Sequence, residues 1–265
     1  MNANLSVKTQ GENLLFEHVF GQHGFYQNLQ LKAPELATLR NIVAKQWRDC
    51  VLRCLPEQAE AITDYAMPNY HELLAAYPSL DHKTMWPKKN RILAPADVHI
   101  IRQLPFMQWL AEYCGEFLIA NEEGLHDEEI YWRLARPSNN NDVGPMHADK
   151  WFWDLGHGNM PPNYQRIKIW IPLYCETGVN GLKYVPQSHR QSWAYSGIER
   201  DGFVKPQIDV AESDLNIQAF HTQAGQAVIF NDELLHGGLV GGEQSRVSIE
   251  FTILVPIAKC QNYIG

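Results

Sequence analysis

The triplet His147-Ala148-Asp149 and the later His236, with Arg246-Val247-Ser248 ten residues beyond it, are the residues whose types and spacing could do chemistry. Two imidazoles and one carboxylate form a three-ligand facial set that suits non-haem Fe(II) and leaves positions open for substrate and oxygen. A buried arginine beside that set suits a dicarboxylate, which its planar guanidinium can grip bidentately. A His-x-Asp spacing alone arises easily by chance in a chain with 11 His. The order of the surrounding signals carries the case: Gly144-Pro145 as a turn before the triplet, then a strand, the distal His and an Arg-bearing strand.

These residues fall in a strand-rich second half. From residue 129, short β-type runs at Ile130-Ala135, Ile167-Leu173, Leu182-Pro186, Ala227-Phe230 and Val247-Val255 alternate with Gly, Pro and Asn clusters such as Pro137-Ser138-Asn139-Asn140-Asn141. Such spacing suggests antiparallel strands in a sandwich or barrel of the jelly-roll kind. In the last run Val247, Ile249, Phe251, Ile253 and Val255 share one face, and Arg246, Ser248, Glu250 and Thr252 share the other. Arg246 and Ser248 therefore point the same way, and in a cupped sheet they would reach one ligand.

The first half reads as helical support. Leu36, Leu39, Ile42, Val43, Trp47, Val51 and Leu52 recur at three- and four-residue steps over 34-55, ended by Pro56. Ile100, Ile101, Trp109, Leu110, Tyr113, Phe117 and Leu118 repeat the signal over 96-120, with an interruption at Pro105. The stretch Met85-Trp86-Pro87-Lys88-Lys89-Asn90-Arg91 reads as a solvated basic loop or, functionally, a lid. The class expected is α+β, one domain over 1-265: helical support to 128, a β core over 129-256 and a tail over 257-265.

A chain of 265 residues with 45% hydrophobic content can bury a substantial core. Its net charge of -8 argues against a nucleic-acid or anionic-membrane surface, so the expected ligand is a small molecule. The five cysteines, Cys50, Cys54, Cys114, Cys175 and Cys260, are odd in number and lack CxxC pairing, which reads as reduced thiols of a cytoplasmic protein. The N-terminal MNANLSVKTQGENLL has no export pattern, and no apolar run is long enough to span a membrane. Ser-hydrolase and nucleotide-binding readings lack their G-x-S-x-G, P-loop and G-x-G-x-x-G motifs.

The segments GPMHAD, IKIWIPL, NGLKYVPQSHR, AGQAVIFNDELLHGG and RVS together resemble the phytanoyl-CoA dioxygenase-like branch of the Fe(II)/2-oxoglutarate oxygenases, over residues 130-256. The resemblance implies a double-stranded β-helix of the cupin-like type, in which His147, Asp149 and His236 hold Fe(II). It also implies that Arg246 and Ser248 grip the distal carboxylate of 2-oxoglutarate, with Trp170 as a cosubstrate-pocket wall and Trp153 as a substrate-side wall. O2 would be the other cosubstrate, succinate and CO2 the coproducts, and hydroxylation of a small metabolite the outcome. Pro186-Gln187-Ser188-His189 stands where the family often has Pro-Gly-Ser-His, which leaves the metal positions intact. The retained Asp149 favours hydroxylation over halogenation, since related halogenases carry a small residue there.

Each residue also has a plainer reading. His147 and His236 could be core or turn histidines, and Trp151, Phe152 and Trp153 could simply fill the core. His126-Asp127-Glu128 is a rival triplet in an acidic run, expected to be solvated, and His189 and His221 suit loop roles. Arg133 and Arg136 could recognise an anionic substrate or lie exposed. A zinc-dependent hydrolase, or a cupin-like metal-binding sensor without turnover, are the other function classes.

Overall fold

The structure, a computed structural model, describes residues 14–200 and 203–264. The N-terminal reading of the sequence concerns residues 1–13 above all, which lie outside the described residues. Among the described residues eleven strands and nine α-helices follow in chain order: α1 (Leu14–Phe20), β1 (Phe25–Gln30), α2 (Ala33–Cys54), α3 (Ala59–Ile62), α4 (Tyr70–Ala76), α5 (His82–Met85), α6 (Pro95–Arg102), α7 (Pro105–Cys114), β2 (Leu118–Ile119) and β3 (Tyr131–Ala135). After these come α8 (Lys150–Asp154), β4 (Tyr164–Tyr174), β5 (Leu182–Tyr184), β6 (Tyr195–Arg200), β7 (Phe203–Ile208), β8 (Gln218–Ala219), β9 (Gln226–Asn231), β10 (His236–Gly238), β11 (Arg246–Pro256) and α9 (Ile257–Cys260). Among the described residues no helix is long and apolar enough to cross a membrane.

A six-stranded antiparallel sheet runs β1-β9-β4-β11, with β3 and β2 placed successively along the far edge of β11. A second sheet has the order β10-β5-β8, and the pair His147↔His236 extends it by one bridge. The two sheets face each other across the site, as in a cupin-like jelly roll, and β6-β7 forms a separate hairpin.

Alternation along β11 decides what each face of the large sheet meets. Val247, Ile249, Phe251, Ile253 and Val255 join Ile167, Ile169 and Ile171 of β4 in the core shared with α2, α6 and α7. Arg246, Ser248, Glu250 and Thr252 occupy the inward face and are nevertheless at most 6% exposed. A sheet with a second sheet on one side and helices on the other buries both faces, so β11 carries polar groups into the interior.

Glu35 ties the helical layer together. Its carboxylate accepts the Lys32 amide at 2.8 Å, capping α2, and the Phe106 amide at 2.7 Å, capping α7. Gln46 of α2 then takes the Trp132 indole N–H of β3 at 2.9 Å, which fixes the helix against the sheet.

Four expectations need correction. The helical signal over 96-120 stops at Gly115, whose φ of 72° ends α7, so Leu118 lies on β2 instead. The first half contributes β1, an edge strand that pairs with β9, whose polar sequence FYQNLQ gave no alternating apolar signal. The expected tail folds back as α9, with Cys260 fully buried. The stretch 85-91 is neither a solvated loop nor a free lid. Lys88 pairs with Glu122 and Glu123 at 3.0 and 2.7 Å, and Arg91 donates to the Trp86 and Trp132 carbonyls at 3.0 and 2.7 Å. Partners from the 122–132 segment and from Trp86 therefore hold Lys88 and Arg91 against the protein, and Lys89 is left exposed.

Candidate active site

His147 and His236 come from segments almost ninety residues apart, and the backbone brings them face to face. Each amide N–H donates to the other's carbonyl, at 3.0 and 2.9 Å, so the two form a hydrogen-bonded cross-strand pair with their rings 4.5 Å apart. His147 Nδ1–H donates to the Pro145 carbonyl at 2.7 Å, and His236 Nδ1–H to the Leu234 carbonyl at 2.9 Å. These bonds fix the tautomer and turn each Nε2 lone pair toward the site.

Asp149 closes the triangle. Its Oδ1 lies 3.7 Å from His147 Nε2 and its Oδ2 3.7 Å from His236 Nε2, and the three ligand atoms all fall within 4.8 Å of one another. Oδ2 is buried without a hydrogen-bond donor, an arrangement that is costly unless a cation satisfies it. Burial by itself would raise the Asp149 carboxyl, but Lys168, 3.9 Å away, and the two imidazoles outweigh it and hold it well below the usual carboxylate range. Burial pushes His236 down to about 4, which keeps it neutral and able to ligate. The donor set of two Nε2 atoms and one carboxylate oxygen thus fits a divalent ion of the Fe(II) type.

Arg246 lies deeper on β11, 2% exposed. One of its Nη atoms donates to the Gly181 carbonyl at 2.7 Å, its Nε has no partner, and no carboxylate is paired with it among the described residues. Burial lowers its proton affinity to about 10, a cost that an arriving carboxylate would repay. Ser248 Oγ and Trp170 Nε1 are buried and unpartnered as well. Trp170 sits on β4 opposite Glu250 and Val228, on the same inward face as Ser248, and packs with Leu182, Val228, Phe230 and Leu234.

Trp153, on the short α8, lies at the rim rather than deep in the site. Arg166 stands 5.1 Å over its ring, and Gly158 packs so closely that an added Cβ would meet the ring at 2.6 Å. Phe152 meets His147 edge-on at 5.4 Å, whereas Trp151 turns away to stack on Tyr195 of the hairpin. His189 bonds the Gly21 carbonyl and His221 packs against Gly178, both away from the ligand triangle. The rival triplet does not gather ligands: Glu128 pairs with Arg102, and Glu129 accepts backbone amides. Arg136 is held bidentately by Asp142, while Arg133 faces inward to Glu250 at 2.7 Å. All five cysteines are free thiols.

Two groups escaped sequence reasoning. Lys168 is 3% exposed, held by Tyr131 Oη at 2.8 Å, Glu122 at 3.3 Å and Asp149. Its alternation with Trp170 along β4 was the available signal. Thr222, with a buried unpartnered Oγ1, lies beside Gly181, and only the turn after β8 puts it there.

The family model described as phytanoyl-CoA dioxygenase (PhyH) matches residues 57–246. No curated protein matches the chain in sequence. Among solved structures, EvdO2 from Micromonospora carbonacea var. aurantiaca complexed with 2-oxoglutarate is similar over 93% of this chain and 92% of its own, at 16% identity and a TM-score of 0.53. The apo non-heme monooxygenase ThoJ is similar over 91% and 77%, at 15% identity and a TM-score of 0.51. SnoK, a non-heme alpha ketoglutarate dependent carbocyclase from nogalamycin biosynthesis, is similar over 93% and 85%, at 11% identity and a TM-score of 0.50. At these identities the likeness concerns the fold. The family match, spanning most of the chain and every proposed iron ligand, makes this protein a member of the phytanoyl-CoA dioxygenase family, an Fe(II)- and 2-oxoglutarate-dependent oxygenase that uses O2 as cosubstrate.

Proposed function

We propose that this oxygenase hydroxylates a small metabolite with release of succinate and CO2, and that His147, Asp149 and His236 hold the iron while Arg246 and Ser248 seat the distal carboxylate of 2-oxoglutarate. The observation that carries the reading is the match of unmet needs. The buried Asp149 Oδ2 has no hydrogen-bond donor, and on β11 the buried Arg246 guanidinium has an unpartnered Nε and no carboxylate in salt-bridge contact among the described residues. When bound, ferrous iron with 2-oxoglutarate and O2 supplies the oxidising power for C–H hydroxylation, and the residues present supply position.

In this reading the Pro145 and Leu234 carbonyls keep both imidazoles in the ligating tautomer. Lys168 holds Asp149 ionised and oriented. Trp170 walls the cosubstrate against the apolar cluster around Phe230 and keeps water from the space between the iron ligands and Arg246. Trp153, with Arg166 over its ring, forms the outer wall on the substrate side. We take the chain to be a single domain, since the helices and the sheet share one core.

The test is iron-dependent conversion of 2-oxoglutarate to succinate by the purified protein, measured with wild type and Asp149→Ala. Succinate formation that needs Fe(II) and is abolished in the variant supports the reading. Turnover retained in Asp149→Ala contradicts it.

A further inference from the structure

We infer that the substrate carries an anionic oxygen group, a carboxylate or a phosphoryl group, seated on Arg133 at the outer edge of the site. This rests on the assignment of Arg246 to 2-oxoglutarate made above. The ground is a mismatch of charge beside the inward face of the sheet, where Arg91, Arg133 and Arg246 lie within electrostatic reach of Glu250 and Arg133 alone is in salt-bridge contact with it among the described residues.

Arg133 Nε is 2.7 Å from Glu250 Oε1. Arg91 donates to the backbone carbonyls of Trp86 and Trp132, and Arg246 to that of Gly181. The three lie within electrostatic reach of one another: Arg133 disfavours, and Glu250 favours, the charge on both Arg91 and Arg246. The neighbouring cations are answered elsewhere. Lys88 and Lys168 are answered by Glu122 and Glu123, and Arg136 by Asp142, while Asp149, also near Lys168, is the carboxylate assigned to the iron above.

With Asp149 given to the iron, the six cations Lys88, Arg91, Arg133, Arg136, Lys168 and Arg246 face the four carboxylates Glu122, Glu123, Asp142 and Glu250, so the positive charge is in excess by two. The distal carboxylate of 2-oxoglutarate on Arg246 answers the first. The second is still unmatched beside the buried Glu250, where an oxyanion on a guanidinium is correspondingly favoured.

Exposure decides which guanidinium meets that anion. Arg246 is sealed in, and Arg91 has its Nε and one Nη on backbone carbonyls. The Arg133 side chain is 36% exposed. It projects from β3 beside Ser248 of β11, so its head lies between the cosubstrate seat and solvent. Tyr131, two residues earlier on the same face and buried, offers its ring to Arg133, Lys88 and Lys168 at 5.7, 4.7 and 5.0 Å and spaces these cations apart.

The experiment is calorimetric titration of the anaerobic enzyme, loaded with Fe(II) and 2-oxoglutarate, with acetate in one arm and inorganic phosphate in the other. Binding in at least one arm is expected, and the stronger arm names the group. Arg133→Gln should weaken that binding about tenfold or more, while 2-oxoglutarate affinity stays within about twofold. Glu250→Gln, which removes the carboxylate that competes for Arg133, should tighten it about tenfold, a gain that a merely structural role would not give. Absence of binding in both arms, an unchanged affinity in Arg133→Gln, or no tightening in Glu250→Gln overturns the inference. So does an anion that is displaced by added 2-oxoglutarate, since it would then sit on Arg246. A 2-oxoglutarate affinity insensitive to loss of Arg246 would instead overturn the cosubstrate assignment.

Discussion

Replacing Arg246 by Met separates its two roles, because the guanidinium is expected to strain the empty protein and to reward the loaded one. In the empty protein it is 2% exposed, holds one bond to the Gly181 carbonyl and leaves Nε unpartnered. An apolar chain of similar length loses that bond, worth about 1 kcal/mol, and sheds the desolvation of a buried cation, so apo stability should change by no more than about 1 kcal/mol. In the loaded protein two charge-assisted hydrogen bonds to a carboxylate disappear, costing about 3 kcal/mol or more, which is roughly a hundredfold or greater rise in the 2-oxoglutarate Kd. Thermal unfolding with and without Fe(II) and 2-oxoglutarate reads both quantities. At a ligand concentration of about one hundred times the wild-type Kd, the wild type should gain about 2.7 kcal/mol and the variant well under 1 kcal/mol. A variant with unchanged 2-oxoglutarate stabilisation would refute the reasoning, and so would one whose apo form alone collapses.

Other expectations follow from the same geometry. Ser248→Ala should weaken 2-oxoglutarate by about fivefold, as loss of one neutral hydrogen bond near 1 kcal/mol requires, and a titration of the cosubstrate checks it. Glu35→Ala should lower the urea-unfolding free energy by about 2 kcal/mol, since one carboxylate caps both α2 and α7, with little effect on the 2-oxoglutarate Kd. Burial pushes His82 down to about 4, because the nearby Asp142, at 3.5 Å, is already held by Arg136. The unfolded chain takes up the His82 proton near pH 6.5 and the folded chain only near 4. Acidification across that window should therefore cost up to about 3 kcal/mol of stability, and His82→Gln should flatten that part of the stability-pH curve.

The strand-borne part of the site was legible because strand alternation is a local property. The run from Arg246 to Val255 fixes which side chains share a face, so the inward polar row of β11 could be read from the sequence, and its burial followed once a second sheet faced it. The ligand set was readable for the same reason, with one triplet and one distal His beside recognisable turns. What escaped depends on partners far along the chain. The signal of Lys88 and Arg91 was a basic loop, and only Glu122, Glu123 and the Trp132 carbonyl, supplied more than thirty residues later, turn that stretch inward. β1 was missed because it is a polar edge strand held by pairing with β9 rather than by an apolar stripe. The excess of guanidinium charge around Glu250 was equally hidden, since Arg91, Arg133 and Arg246 come from three separate segments.

The most direct measurement of the central claim is anaerobic calorimetric titration of Fe(II) into the wild type and into His147→Ala, Asp149→Ala and His236→Ala, with far-ultraviolet circular dichroism of each protein. One iron bound per wild-type chain, and loss of that binding in each folded variant, is the result expected from three ligand atoms within 4.8 Å of one another. Wild-type affinity retained by any of the three variants would contradict it.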